Sequence, residues 1–277
     1  MDSTNSFENK VVLITGAARG IGKATAIEFA KNNAKVIAVS RTMDDLLELQ
    51  KQFPKNIEVW DFDITGDEFF KKMESLNKLD ICINNAGVNK PKLIEDVDDA
   101  TLDLMLDLNV RATFRTSKIA VKLMKKNNQG VIINVTSQMG HIGSPTRTVY
   151  CLTKHAVEGL TKALAVEVAP SNIRVCSIAP TFADTPMTKP MFEDEKFKNF
   201  VELRTDTISK IKNHTDFDLL PKKTIQDLKF ESGSLINEPI YVNEIDYYFS
   251  NSIARSSKTM SDCRAARSKK LNKITGS

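Results

Sequence analysis

Paired cysteines, clustered histidines and long apolar runs are all missing from this sequence. The four cysteines, Cys82, Cys151, Cys176 and Cys263, include no C-x-x-C spacing, so neither a disulfide framework nor a thiolate metal centre is expected. Two lie in apolar strand-like runs, and all four read as free thiols in a reducing compartment. The three histidines, His141, His155 and His214, are scattered and offer no ligand set for a metal ion. No window approaches the ~20 apolar residues that a bilayer-spanning helix requires. The opening M-D-S-T-N-S-F-E-N-K carries two acids and no apolar signal core, so a cytoplasmic location away from membranes is expected. An excess of positive charge is also missing outside the tail. Net charge is +4, but residues 255–277 hold seven Lys or Arg against one Asp, leaving −2 for everything before them. A basic run such as R-S-K-K, from Arg267 to Lys270, without interleaved aromatics fits a solvated tail better than a nucleic-acid surface.

What the chain does have is hydrophobic content, 41% of its residues, enough for a substantial core. Apolar runs predict strands near 10–15, 35–40, 57–61, 79–84, 130–136 and 173–178. Helical periodicity fills the intervals at about 20–32, 43–52, 66–76, 100–127 and 148–168. This alternation predicts an α/β fold, a doubly wound parallel sheet with helices on both faces and six readable strands.

Three loops and one helix carry chemistry. T-G-A-A-R-G-I-G, from Thr15 to Gly22, joins the first strand to the first helix, where backbone N–H groups and a helix N-terminus can meet a pyrophosphate; alone, such a cluster is as often an ordinary turn. N-N-A-G, from Asn84 to Gly87, ends the fourth strand and suits either close backbone approach to a ligand or a turn. V-I-I-N-V-T-S, from Val131, delivers Ser137 at the end of the fifth strand. Ligands of parallel α/β sheets bind at the carboxyl ends of their strands, where all three motifs end. Tyr150 and Lys154 then stand four residues apart on a helical stretch, on one face. A phenol beside an ammonium is an acid/base pair, and the ammonium is expected to pull the phenol pKa down from ~10. Taken alone, Y-x-x-x-K also occurs by chance on solvated helix faces.

The end of the second strand bears on cofactor choice. An NAD site usually places an acid there for the ribose 2′-hydroxyl, whereas a 2′-phosphate needs that acid absent and a cation present. Here S-R-T stands in that place: Ser40 replaces the acid, Arg41 can fork onto a phosphate, Thr42 can donate a hydroxyl, and Arg19 in the glycine loop can add a second cation. NADP(H) is therefore favoured over NAD(H).

In this order, T-G-x-x-x-G-x-G, N-N-A-G, Ser137 and Y-x-x-x-K, the motifs resemble the short-chain dehydrogenase/reductase family, over about residues 8–200. The texture of A-V-S-R-T-x-x-D-L, L-N-V-R-A, N-V-T-S-Q and V-Y-C-x-T-K is similar to dicarbonyl and L-xylulose reductases and related sugar or keto-ester reductases. The resemblance implies a Rossmann-type fold and a catalytic set of Asn109, Ser137, Tyr150 and Lys154. Tyr150 would protonate the carbonyl oxygen, Ser137 would hydrogen-bond it, Lys154 would also hold the nicotinamide ribose, and Asn109 would hold a water in the proton relay. For the cofactor it implies Gly16, Gly20, Ile21 and Gly22 on the phosphates, and Asp63 and Ile64 on the adenine. Asn85, Ala86 and Gly87 would stand at the fourth strand, with Pro180 and Thr185 over the nicotinamide. Asp61 is read as solvated. Gln138, Met139, Arg147 and Phe192 would line the substrate pocket, although Gln138 could point away and Arg147 could be a surface charge. Family members are homodimers or homotetramers.

Past about residue 200 the resemblance ends. Only Gly233 and Gly276 follow, and the seventh strand of the family is not recognisable. Residues 1–200 are thus expected to form the NADP(H)-binding and catalytic domain, with 201–277 an atypical, poorly ordered region that leaves strand 173–178 as an apolar edge. Two functions are consistent with this: an NADPH-dependent reductase of a ketose, α-dicarbonyl or keto-ester, or a weakly active or inactive dinucleotide-binding product acting as an interaction or regulatory subunit.

Overall fold

The computed structural model describes residues 7–181 together with Ala183, Thr185, Pro186, Thr188 and Glu193. Phe192 and the expected atypical region, 201–277, lie outside the described residues. Strands β1 (Val11–Thr15), β2 (Lys35–Ser40), β3 (Ile57–Asp61), β4 (Ile81–Asn84), β5 (Gly130–Val135) and β6 (Ile173–Ile178) alternate with helices. The helices are α1 (Gly20–Lys31), α2 (Met43–Gln52), α3 (Asp67–Glu74), α4 (Asp99–Leu106), α5 (Ala112–Lys126) and α6 (Thr148–Val168). The strands form one parallel sheet in the order β3-β2-β1-β4-β5-β6, the doubly wound arrangement expected from the sequence.

The sheet is buried on both faces, which is why its strands read as continuous apolar runs rather than alternating ones. Val12 and Ile14 point to one face and pack with Ala26, Ala30, Leu46 and Leu49 of α1 and α2. Leu13, between them, points to the other face and joins Phe69, Phe70 and Met73 of α3 and Leu123 and Met124 of α5. All of these side chains are at most 4% exposed.

Winding leftwards from β1 to β3 and rightwards from β4 to β6 leaves a switch point between β1 and β4. The loops after these two strands diverge there, and a crevice opens at their carboxyl ends. Two findings refine the expected elements. The long helix expected over 100–127 is α4 and α5 joined by a π-helical turn, Asp107–Arg111, with Asn109 at its centre. Such insertions into a helix are rare and recur at functional sites. The β6 strand ends the sheet among the described residues, but it is not uniformly apolar: Ile173 is buried while Arg174 and Cys176 are exposed.

Candidate active site

A cleft of ≈ 320 Å³ lies at the switch point. Its floor is the glycine loop. Gly16 and Gly20 have φ of +67° and +55°, the left-handed region where a side chain is strained. Gly22 has a packing requirement instead: a Cβ there would lie 2.3 Å from the Gly16 carbonyl oxygen and 2.5 Å from Asn85 Nδ2. Thr15 and Asn85 tie this loop to the one after β4. The Thr15 hydroxyl accepts from the amides of Asn85 and Ala86 at 3.0 and 3.1 Å, while Asn85 Nδ2 donates to the carbonyls of Thr15 and Gly16 at 3.0 and 3.1 Å. The α1 helix begins without a side-chain cap, its preceding residue Arg19 being extended. Its first amides therefore remain available at the cleft, where Gly16, Arg19, Gly20, Ile21, Ala86 and Gly87 form the lining. Uncapped amides, small residues and close backbone approach together fit the pyrophosphate of a dinucleotide.

At the other end of the cleft stand Ser137, Gln138, Met139, Tyr150 and Lys154, with Pro180, Thr181 and Thr185 opposite. Ser137 leaves β5 in extended conformation and its hydroxyl accepts from the Met139 amide at 3.2 Å. It is also near enough to the Tyr150 phenol to favour its ionised form. Lys154, one helical turn after Tyr150 on α6, is 5% exposed, donates to the Val135 carbonyl at 2.9 Å and lies 5.6 Å from the centre of the Tyr150 ring.

The electrostatics differ from the expectation drawn from the spacing of the pair. Burial raises the Tyr150 pKa; Cys151 adds to this, and the nearby Ser137 hydroxyl and the charge of Arg147 oppose it without cancelling it. Lys154 is not among the groups that shift the phenol. Burial pushes the Lys154 ammonium down to about 8, and nearby Glu158 works the other way. Spacing alone brings two groups together; desolvation decides which protonation state each prefers.

Asn109 is fixed from several sides. Its side chain is 2% exposed and committed to protein: Oδ1 accepts from the Val88 amide at 2.8 Å, and Nδ2 donates to the Val88 carbonyl at 2.9 Å and Thr153 Oγ1 at 3.1 Å. Both amide protons are used, and the main-chain carbonyl of Asn109 accepts from the Thr113 hydroxyl at 2.9 Å. The side chain clamps the segment after Gly87, and the main-chain carbonyl, with one lone pair on Thr113, keeps the other for a further partner. Gly87 itself packs over this corner, its ideal Cβ position lying 3.2 Å from Asn109 Oδ1 and 3.6 Å from Lys154 Nζ.

At the β2 end, the expected cations are paired within the protein. Arg41 reaches Asp63 Oδ2 at 3.3 Å, and Arg19 reaches Asp45 Oδ2 at 2.6 Å. Burial acts against the Asp63 carboxylate, but hydrogen bonds from the Thr65 amide and hydroxyl and the charge and hydrogen bond of Arg41 outweigh it, so its pKa falls. Ser40 Oγ accepts from the Thr42 amide at 3.3 Å, the position an acid would occupy in an NAD site. Asp61 is exposed, as expected, whereas Ile64 is buried with Trp60 and Phe69 in the core rather than offered to an adenine face.

Of the substrate candidates, Gln138 lines the cleft, and its amide donates to the Pro180 carbonyl at 3.0 Å. Arg147 is not among the residues of this lining; it is buried, 9% exposed, and Nη1 donates to Thr146 Oγ1 at 2.9 Å, which corrects the surface-charge reading. Thr185 stands over Gly20 and is knotted to Thr188, whose hydroxyl accepts from the Thr185 amide at 3.0 Å and donates to the Ala183 carbonyl at 2.6 Å. Sequence reasoning missed Thr188, Asn89 and Glu158. Glu158 had a signal, the third member of the i, i+4, i+8 series Tyr150, Lys154 and Glu158; Asn89 and Thr188 had none.

Comparison with known proteins agrees with this geometry. Residues 10–196 match the family model of short chain dehydrogenases. A separate segment, 217–263, matches the model of the C-terminal region of an NADH-ubiquinone oxidoreductase subunit. The chain is 36% identical over 195 residues to the 3-oxoacyl-[acyl-carrier-protein] reductase FabG of Thermotoga maritima, covering 68% of this chain and 79% of that protein. It is 34% identical over 184 residues to the L-xylulose reductase of Mus musculus, covering 66% and 75%. Among solved structures, one assigned as an NAD(P)-dependent gluconate 5-dehydrogenase from Beutenbergia cavernae, with NADP bound at low occupancy, superposes with a TM-score of 0.68 at 27% identity, covering 71% of this chain and 82% of that one.

Proposed function

Because this chain belongs to the short chain dehydrogenase family and is an NAD(P)-dependent oxidoreductase of the alcohol dehydrogenase type, we propose that it uses NADPH to reduce a small carbonyl, a ketose, α-dicarbonyl or keto-ester, to the alcohol. The observation that carries this reading is the convergence of Ser137, Tyr150 and Lys154 on one wall of the cleft whose floor is the glycine loop.

The nicotinamide supplies the hydride when bound. Tyr150 donates its phenolic proton to the carbonyl oxygen, and burial keeps it protonated at neutral pH, the state a reductase needs in its general acid. The Ser137 hydroxyl hydrogen-bonds the same oxygen as negative charge builds on it. Lys154, which spends one of its three donors on Val135, has two left for the ribose of the cofactor and places a positive charge under the reacting groups. The clamp of Asn109 on Val88 holds Gly87 against Lys154. Gln138 is the polar group for a hydroxyl or carboxylate next to the carbonyl.

The preference for NADPH rests on Ser40 in place of an acid and on Arg41 and Arg19 at the rim. Both arginines would exchange part of their pairing with Asp63 and Asp45 for the 2′-phosphate. The family-model match over residues 10–196 supports reading residues 1–200 as the cofactor-binding and catalytic unit. The decisive experiment is NADPH oxidation by the purified chain against a panel of ketoses, α-dicarbonyls, keto-esters and 3-oxoacyl thioesters. Turnover of a sugar or dicarbonyl above the thioesters supports the substrate class; turnover of thioesters alone replaces it.

A further inference from the structure

Glu158 is a carboxylate that the proposed reaction does not use, yet it is buried, 4% exposed, directly behind the reacting groups. Its Oε1 accepts from the Thr136 hydroxyl at 2.6 Å and lies 3.3 Å from His141 Nε2, while Oε2 accepts from the Ser177 hydroxyl at 2.9 Å. These partners come from three places: Thr136 immediately precedes Ser137, Ser177 is near the end of β6, and His141 follows the short turn Gln138–Gly140. Gly140 is pressed against the same side chain, its ideal Cβ position being 3.1 Å from Glu158 Cγ. A carboxylate sequestered from water is stable only when its lone pairs are used and a positive charge is close.

We propose that Glu158 is a positioning residue for the reduction: it braces the strand ends that present Ser137, and it supplies the negative charge against which the Lys154 ammonium is held. This rests on the reading of Lys154 given above. Two geometric facts connect the roles. Lys154 donates to the carbonyl of Val135, and the next residue, Thr136, donates to Glu158, so both α6 side chains grip the same end of β5. The two residues are also one helical turn apart on α6.

Among the described residues, the titratable groups facing Lys154 are Tyr150 and Glu158 on its own helix. The neighbouring segments offer it the Val135 carbonyl, Gly87 and Asn109, none of them charged. Glu158 faces Lys154 on its own helix and His141 from the turn, and β5 and β6 present hydroxyls. Arg147 and Cys151 act on Tyr150 instead. Burial lowers the Lys154 ammonium to about 8 and Glu158 raises it. Removing the negative charge therefore lowers it further, and the ammonium is lost at a lower pH.

The test compares the parent with E158Q, E158D and K154M, following NADPH-dependent reduction and NADPH affinity from about pH 6 to about pH 10. E158Q keeps the shape and most hydrogen-bonding capacity but not the charge. Its alkaline limb, in both rate and NADPH affinity, should move to lower pH by about one unit, with roughly a tenfold loss of kcat/KM at the parent's limb. E158D keeps the charge on a shorter arm, so its limb should stay with the parent's while kcat falls at every pH. An E158Q profile that superimposes on the parent after scaling overturns the electrostatic role, as does an E158D limb displaced as far as that of E158Q. Should E158Q fail to fold, E158N against E158D makes the same comparison on the shorter arm: a limb at lower pH in E158N than in E158D supports the role of the charge, and coincident limbs overturn it. A K154M variant as active as the parent would instead remove the reading of Lys154 on which the inference depends.

Discussion

The two ends of the cleft handle charge in opposite ways. At the β2 end, Arg19, Arg41 and Asp63 are substantially exposed, their side chains 60%, 66% and 45% accessible, and they are held by ion pairs, one from the glycine loop to α2 and one from the end of β2 to the segment after β3. At the β5 end, Lys154 and Glu158 are almost completely buried and locked to strand carbonyls and hydroxyls. Exposed pairs are each worth ~0–1 kcal/mol and rearrange at little cost, which suits recognition of a phosphate that must arrive and leave. Buried groups cannot rearrange without leaving a charge unsatisfied, which suits a proton donor whose placement must survive every turnover. Substitutions at the β5 end should therefore act on rate and by large factors, and those at the β2 end on cofactor choice and by small ones.

The strongest way to break this contrast is Tyr150→Phe. It removes one transferable proton and leaves the ring in place, so reduction should fall by about a thousandfold, ~4 kcal/mol in the barrier, with NADPH affinity unchanged within about twofold. Turnover within ~tenfold of the parent would mean that another group delivers the proton. Lys154→Met comes next. Because its ammonium serves both ribose and reacting centre, a loss on the order of a hundredfold in kcat should come with weaker NADPH binding. Intact cofactor affinity would take the ribose contact out of the mechanism and make Lys154 a rate residue only.

The fold was legible because its signals are local: six apolar runs, glycine turns between them and helical periodicity follow one another in chain order. The cleft was legible for a related reason. Three of its four motifs sit at a strand's carboxyl end, and a parallel sheet brings all such ends to one rim. What was not legible depends on contacts between distant residues. Arg41 meets Asp63 across 22 positions, and Thr15 meets Asn85 across 70. Nothing in either local sequence announces these pairs. The protonation of Tyr150 was misjudged because Y-x-x-x-K encodes proximity while burial comes from the whole fold. The bond of Asn109 to Val88 was hidden too, because it joins the π turn to a loop 21 positions away.

Between the two ends lies the glycine loop, where geometry rather than charge sets the requirement. Gly22→Ala should lower stability by about 1–3 kcal/mol, because the new methyl would meet the Gly16 carbonyl at 2.3 Å and Asn85 at 2.5 Å, both parts of tied loops. Thermal melting should register this as a drop of roughly 5 °C, with cofactor affinity falling alongside. A variant that melts with the parent would show that the loop has slack, and that Gly22 is not what keeps β1 and β4 in contact at the switch point.

The smallest effects should come from the β2 end, and they are the sharpest test of its separate role. Arg41→Ala removes a 2′-phosphate partner and also leaves Asp63 without its nearest cation, so the uncovered carboxylate repels the phosphate. The kcat/KM for NADPH should fall about tenfold, ~1.4 kcal/mol, while that for NADH stays within about twofold. Ser40→Asp should move the preference in the same direction by placing an acid at the ribose position. In both variants the pH profile of reduction should keep the parent's shape, because nothing buried near Tyr150 or Lys154 has changed. Measuring both cofactors in the parent and the two variants settles the point. A parent that prefers NADH would reverse the assignment of Arg41, and a displaced pH profile would mean that the two ends of the cleft are coupled rather than independent.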